Sequence, residues 1–497
     1  RSHLFPTGGG GYVVASKLLS PTVGMFSGCA LLIDYVLTIT LSVASGADAV
    51  FSFLPPHWLG LKLPLAVAGV FLLTLLNLRG VKESVLVLMP VFLLFVATHA
   101  LVILYGVGAH LADLPALAAR TGRDLAATHA ELGGMGMVLL LLRAYSMGAG
   151  TYTGIEAVSN GLPILREPKE VTGKRTMLYM ALSLSLTVVG LMVCYLLFAV
   201  APEQGKTLNA VLFENITANF GVPGQWFVLV TLVSEAALLF VAAQAGFVDG
   251  PRVLANLAQD RWFPTRFALL SDRLVTQNGI LLMGGAALIL MLVSHGSVDL
   301  LIVLYSINVF ITFTLSQLGM VRHWWQVRGR EKGWAKGLAL NGVGLGLTGF
   351  ILISVTVVKF DEGGWATLLV TGLLAACAMY VRRHYAGVGV MLRKLDGLVE
   401  ATEDVELGPI APLPEPEPGA RVAVVLVGGF NGLGLHTLLS VHRLFPGEFT
   451  DFLFVQVAQV DAAAFKSAAE VAHLRARVEG ELFRYVRFAN SKGWRAR

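Results

Sequence analysis

Three oxygen-bearing side chains, Tyr35, Thr38 and Ser42, stand at i, i+3 and i+7 of an apolar run, with Asp34 beside the first. That spacing puts them on one face of a helix. A stripe of hydroxyls can replace the water around a hard cation, and it can also simply pack one helix on another. A second cluster is Gly148-Ala149-Gly150-Thr151-Tyr152-Thr153-Gly154-Ile155-Glu156. Glycines there favour a break in the helix, which frees backbone carbonyls next to Thr153 and Glu156, one turn apart. A carboxyl at membrane depth suits cation binding or proton transfer, because an ionisable group is costly there without a task or a partner. Glu235 is a second such acid, with a paired structural role as its competing reading. Tyr305-Ser306 and Asn308 form a polar notch in another apolar run. Arg143 reads as a snorkelling end residue or a gate partner. Asp48 and Asp249 lie near the ends of runs, where solvated faces are the simpler reading.

These residues need elements to hold them. Of the 497 residues 55% are hydrophobic and 14% charged, and mean hydropathy is +0.71. Soluble domains are usually about 25% charged. Ten apolar segments are long enough to cross ~30 Å of hydrocarbon: 23–54, 60–78, 84–108, 136–160, 175–201, 223–250, 278–296, 298–321, 337–358 and 364–386. The connections alternate in charge. One set carries Arg79, Lys82, Arg166, Lys169, Lys174, Arg175, Arg252, Arg261 and Arg266, and continues through Arg322, Arg328, Arg330, Arg382 and Arg383. The other holds Lys62, Arg120, Arg123, Lys206 and Lys359. The basic set is the cytoplasmic one, which places the tail after Arg383 inside.

The net charge of +5 is spread over short loop clusters rather than one patch with interleaved aromatics, which argues against a nucleic-acid partner. Cys29, Cys194 and Cys377 lie apart within apolar runs, without metal-ligand or disulfide spacing. No Ser-His-Asp set, zinc spacing or Walker lysine is legible, so no enzyme is expected, and no cofactor.

Two outer connections, 109–135 and 202–222, exceed simple turns. Residues 207–220 are amphipathic and read as a helix lying across the outer mouth. Residues 391–419 form a linker whose acidic part holds Pro409, Pro412, Pro414, Pro416 and Pro418. Beyond it, 421–427 reads as a strand, 428–434 as a glycine turn, 435–444 as a helix, 449–457 as a strand and 461–486 as a polar helix. That is a β-α-β-α start of a doubly wound sheet, ending before enough strands appear to close a core. The glycines run GGxxGxG rather than GxGxxG, a weak nucleotide signal beside a plain turn.

Several stretches resemble the amino acid–polyamine–organocation (APC) permeases, over about residues 5–390. Phe5 to Ala15, with its glycine run, is similar to the loop after their second helix. Ala30-Leu31-Leu32-Ile33-Asp34-Tyr35-Val36-Leu37-Thr38 resembles their third helix, and Asn77-Leu78-Arg79-Gly80-Val81-Lys82-Glu83-Ser84 the turn between the fourth and fifth. Thr153 to Pro163 resembles the sixth helix of the KimA/KUP-type potassium importers of that superfamily. Ser316-Gln317-Leu318-Gly319-Met320-Val321-Arg322-His323-Trp324 resembles the end of their tenth.

The resemblance implies an all-α, LeuT-like inverted repeat of twelve helices, of which residues 1–390 would hold helices three to twelve of an N-terminally shortened chain. It implies proton-coupled potassium uptake by alternating access in the cytoplasmic membrane. An amino acid–proton symporter is the alternative, and a nutrient sensor that transports little is a third reading. It assigns ion binding to Tyr35, Thr38, Ser42, Thr153, Glu156 and Tyr305, with Glu156, Asp34 and Glu235 as proton-coupling candidates. The partners would be the lipid bilayer, the transported K⁺ and H⁺ or an amino acid, and a second copy in a homodimer. Residues 420–497 resemble part of a universal-stress-protein-like domain, which implies an adenine nucleotide or cyclic dinucleotide as a regulator.

Overall fold

A computed structural model describes residues 10–80, 85–148, 158, 165–272, 275–331, 333–403, 421–458 and 468–497. The chain divides into two compact units, 1–257 with 273–376, and 258–272 with 377–497.

The first unit is helical. Its helices are α1 (Gly10–Leu18), α2 (Pro21–Phe51), α3 (Lys62–Leu78), α4 (Val85–Ala109), α5 (Leu114–Met147) and α6 (Lys169–Leu197). They continue with α7 (Leu208–Thr217), α8 (Gly221–Gln259), α9 (Gln277–Val293), α10 (Val298–Gln326), α11 (Trp334–Val358) and α12 (Trp365–Glu403). The last residues of α8 and the second half of α12 belong to the second unit. Among the described residues nine helical stretches are long and apolar enough to cross a membrane, and the shorter apolar α9 is a tenth segment. Each of the ten expected spans therefore has a helix on it among the described residues.

Helix α2 shows how sequence starts an element. Ser20 is its N-cap and accepts a hydrogen bond from the Val23 N–H at 3.2 Å, and Pro21 opens the first turn. The helix packs on α1, α3, α9 and α10. Its small residues admit close neighbours. A Cβ on Gly246 of α8 would lie 2.7 Å from the Tyr35 carbonyl and 2.5 Å from Ile39 Cγ1, so only glycine fits there.

Three boundaries differ from the expectation. Of residues 5–15, expected as a loop, those from Gly10 on belong to helix α1, where Tyr12, Val14 and Ala15 are buried against α2 and α10. Helix α5 starts at Leu114 instead of 136 and bends at Gly133, whose φ of 69° and ψ of 174° leave the helical region. The connection 109–135 is thus mostly helix. Helix α12 runs on to Glu403, so the first part of the linker 391–419 is helical.

In the second unit the far half of α12 is held by the 258–272 connection. Arg382 donates to the Asp260 carbonyl and stacks over the Trp262 ring, and the Thr265 N–H donates to the Tyr385 hydroxyl at 3.2 Å. The tail contains β1 (Val422–Leu426), α13 (Gly432–Leu444), β2 (Asp451–Val455), α14 (Ala468–Ser491) and β3 (Arg495–Ala496). The strands pair in parallel, in the order β1-β2-β3. The sequence reading stops at two strands without a closed core. The structure adds the short β3 and buries Val425, Leu435, Phe452, Phe454, Tyr485 and Phe488 together, with Leu398 and Val399 of α12 packed on them. Parallel strands are covered by their crossover helices, so even a small sheet gains a core. The turn 428–434 is sealed from within. Tyr485 donates to the Gly429 carbonyl at 2.8 Å, and Asn431 caps α13 by accepting from Gly434 N–H.

Candidate functional site

The hydroxyl stripe lies in the interior. On α2, Asp34, Tyr35, Thr38 and Ser42 are all buried, and Tyr305 of α10 is 1% exposed. Helices α2 and α10 pack directly on each other. The backbone of Tyr35 abuts Gly246, and its Cβ lies 3.3 Å from where a Cβ on Gly250 would stand. The neighbouring Thr40 points elsewhere and serves structure. It donates to Val36 O at 2.9 Å within the helix and reaches Ala287 O of α9 at 3.4 Å. Four of the expected residues thus share one buried helix, with Tyr305 on the adjoining one. Thr153 and Glu156 lie outside the described residues.

The notch beside Tyr305 separates into roles. Ser306 donates to the Val303 carbonyl at 2.9 Å, and Asn308 Oδ1 accepts from Thr371 of α12 at 3.0 Å. The first bond stays within α10 and the second ties α10 to α12, while Tyr305 is buried beside them.

Glu235 sits in another cluster. Its Oε1 accepts from Asn209 Nδ2 of α7 at 2.9 Å, and Asn209 Oδ1 accepts from the Tyr195 hydroxyl of α6. Around that chain pack Val102, Cys194, Leu212, Phe213, Ile216 and Leu232. Helix α7 is the amphipathic segment expected at 207–220. Thr207 caps it by accepting from Ala210 N–H, and the Thr207 N–H donates to Ser52 Oγ at 3.0 Å. Beside it a cavity of about 690 Å³ is lined by Ser52, Lys206, Glu214, Thr217 and Gln225 among others. Lys206 is held by Glu214 at 2.5 Å and Glu203 at 3.5 Å. The hydrogen bond from Lys206 to Glu214 raises the lysine's proton affinity above the ordinary value.

Sequence reasoning left several polar pairs unmatched. Arg143 of α5 pairs with Glu362 at 2.9 Å, and Glu362 also takes Lys359 at 2.5 Å, whose side chain is buried. The gate-partner reading of Arg143 therefore has a carboxylate opposite it. Asp48 is bonded to Lys62 at 2.5 Å, and Asp249 lies 3.4 Å from Arg252, so neither is merely a solvated surface acid. Asn77 donates to Gln244 at 2.6 Å, joining α3 to α8. Arg143 and Glu362, and Asn77 and Gln244, stand far apart in the chain, whereas Asp249–Arg252 and Lys359–Glu362 are i,i+3 neighbours.

Comparison with known proteins adds the family. A curated relative, the Potassium transporter KimA of Bacillus subtilis, is 34% identical over 399 residues, which cover 79% of this chain and 63% of that protein. The chain thus spans about 63% of the relative's length. The model of the family described as amino acid permease matches residues 2–377, and the chain belongs to that family, within the amino acid–polyamine–organocation superfamily.

Proposed function

We propose that this chain takes up potassium across the cytoplasmic membrane, coupled to proton influx, by alternating access. The observation that carries the reading is the buried hydroxyl face of α2, on a helix packed against α10, where Tyr305 is also buried. Neutral oxygens replace the hydration of a large monovalent cation without trapping it as a full charge would. The 34% identity to a protein named as a potassium transporter supports the substrate. Tyr35, Thr38, Ser42, Thr153 and Tyr305 supply ligand oxygens. Glu156 or Asp34 neutralises the ion and carries the proton. Rocking of one part of the bundle against the rest exposes the site to each side in turn.

In this reading the helices follow an inverted repeat, the basic connections face the cytoplasm and the tail is cytoplasmic. The tail is a partial universal-stress-protein-like domain that takes an adenine nucleotide or cyclic dinucleotide, and two copies associate. The family's description as amino acid permease is the one observation on the side of a second, less supported reading, an amino acid–proton symporter.

Rubidium uptake in a host that lacks potassium uptake tests the proposal. Wild type restores it, and Glu156→Gln, Thr38→Ala and Tyr305→Phe each lower it at least tenfold. Normal uptake in all three variants sinks the site. Uptake of an amino acid without any cation overturns the substrate.

A further inference from the structure

The hydrogen bonds around Glu235 run in one direction. Tyr195 donates to Asn209 Oδ1, which fixes the amide with Nδ2 toward Glu235, and Nδ2 donates to Oε1 at 2.9 Å. The chain ends there. Oε2 is buried and, among the described residues, no donor reaches it. An ionised carboxyl would leave full charge on an oxygen that neither water nor a donor satisfies, whereas a protonated one leaves only a hydroxyl.

The protein invests in this chain at one place, the docking of α7. Asn209 is in the first turn of α7, and Leu212, Phe213 and Ile216 below it pack against Val102, Cys194 and Leu232. Glu214, on the opposite face, lines the cavity, and so does Thr217 at the helix end. We propose that Glu235 is a proton-binding site whose neutral form holds α7 against α4, α6 and α8, and whose ionisation releases it. The inference does not need the chain to carry potassium, since it concerns a proton and a helix contact.

Other ionisable groups on the surrounding elements are accounted for. On α6 they are Tyr195 itself and Cys194. On α7 Glu214 is paired with Lys206, and on α2 Asp48 is paired with Lys62. On α8 Asp249 faces Arg252. His99 of α4 packs its ring edge-on to Phe213, with Nδ1 2.9 Å from the Phe95 carbonyl. His99 is the rival titrating group, and the test includes it.

Cys194 is a native reporter, because it is fully buried beneath α7. The full chain, with Cys29 and Cys377 replaced by alanine, is purified in lipid nanodiscs. Its labelling by a neutral maleimide is followed from neutral to alkaline pH. Glu235→Gln keeps the neutral shape and cannot ionise, and it carries the same thiol, so the thiol's own pH response cancels in the ratio. We expect labelling of the Glu235 protein to rise at least tenfold above that of Glu235→Gln on the alkaline side, with no difference at neutral pH. His99→Gln should keep that step. Asn209→Ala retains the carboxyl but loses the tether, so its Cys194 should label fast at every pH. Infrared spectra at neutral pH should show a protonated-carboxyl band that Glu235→Gln removes. Equal labelling of wild type and Glu235→Gln at every pH overturns the proposal. So does a step lost in His99→Gln, or a protonated-carboxyl spectrum unchanged by Glu235→Gln.

Discussion

Helices α2 and α4 are both apolar enough to cross a bilayer, yet 72% of the most apolar window of α2 is buried and 17% of that of α4. The difference lies in side-chain size rather than hydrophobicity. Gly24, Ser27, Gly28, Ala30, Ala44 and Gly46 of α2 let α1, α3, α9 and α10 close around it. Helix α4 turns Phe92, Leu93, Leu101 and Leu104 outward, where they suit acyl chains. Hydropathy finds spans, and small residues decide which span becomes a central post. The hydroxyl face belongs to that post, because polar groups at membrane depth are tolerated where protein covers them.

The comparison can be broken most severely by filling the gap beside α2. Gly246→Leu would drive a side chain into Ile39 and the Tyr35 carbonyl. Overpacking costs about 1–3 kcal/mol where neighbours can shift, and here backbone cannot. We expect little monodisperse protein after solubilisation. Gly108→Leu on α4, with nothing within 4 Å of a new Cβ, should purify like wild type.

A smaller loss is expected at Lys359, 1% exposed, whose carboxylate partner Glu362 is half-open to solvent. Glu362→Gln leaves a buried cation unneutralised, and the partner's exposure reduces the cost to about 1–3 kcal/mol. Thermal unfolding should show it, and adding Lys359→Met should recover most of the loss. No recovery would mean that Glu362 acts mainly through Arg143.

Smaller again in stability, but decisive for uptake, is Thr38→Ala. If Thr38 is a ligand as proposed, losing its hydroxyl at about 1.4 kcal/mol lowers apparent ion affinity roughly tenfold, with the melting temperature nearly unchanged. Thr98→Ala on α4 should leave uptake intact, since Thr98 bonds within its own helix, to the Phe95 carbonyl at 3.0 Å. Equal effects of the two threonine variants would remove the distinction between the helices. The smallest effect belongs to Leu104→Ala. Its side chain is 71% exposed, so the change in stability should stay within about 0.5 kcal/mol.

Much of this was legible locally. A span needs only a run of apolar residues, and a cap only a Ser20 or Thr207 before it. The stripe Tyr35, Thr38, Ser42 follows from helical spacing, and its burial agrees with the hydroxyls having a protein environment. Helix α1 escaped notice because its glycines favour a loop, while its stability comes from contacts with α2 and α10. The early start of α5 escaped because residues 114–132 lack the apolar run that marks a span. Glu235 was identifiable as an acid at depth. Its partner Asn209 was not, since the pair is 26 residues apart on two helices.

By itself, then, the sequence determined that this chain crosses a membrane many times, which connections carry the positive charge, and which helix face offers oxygens. Those properties depend on residue type and on spacings of three or four positions. Only the tertiary structure decided that α2 is enclosed while α4 is not, that Arg143 meets Glu362, and that Glu235 ends a hydrogen-bond chain beneath α7. Each of these depends on which helices are neighbours, and close approach of small residues sets that choice among helices of nearly equal hydrophobicity.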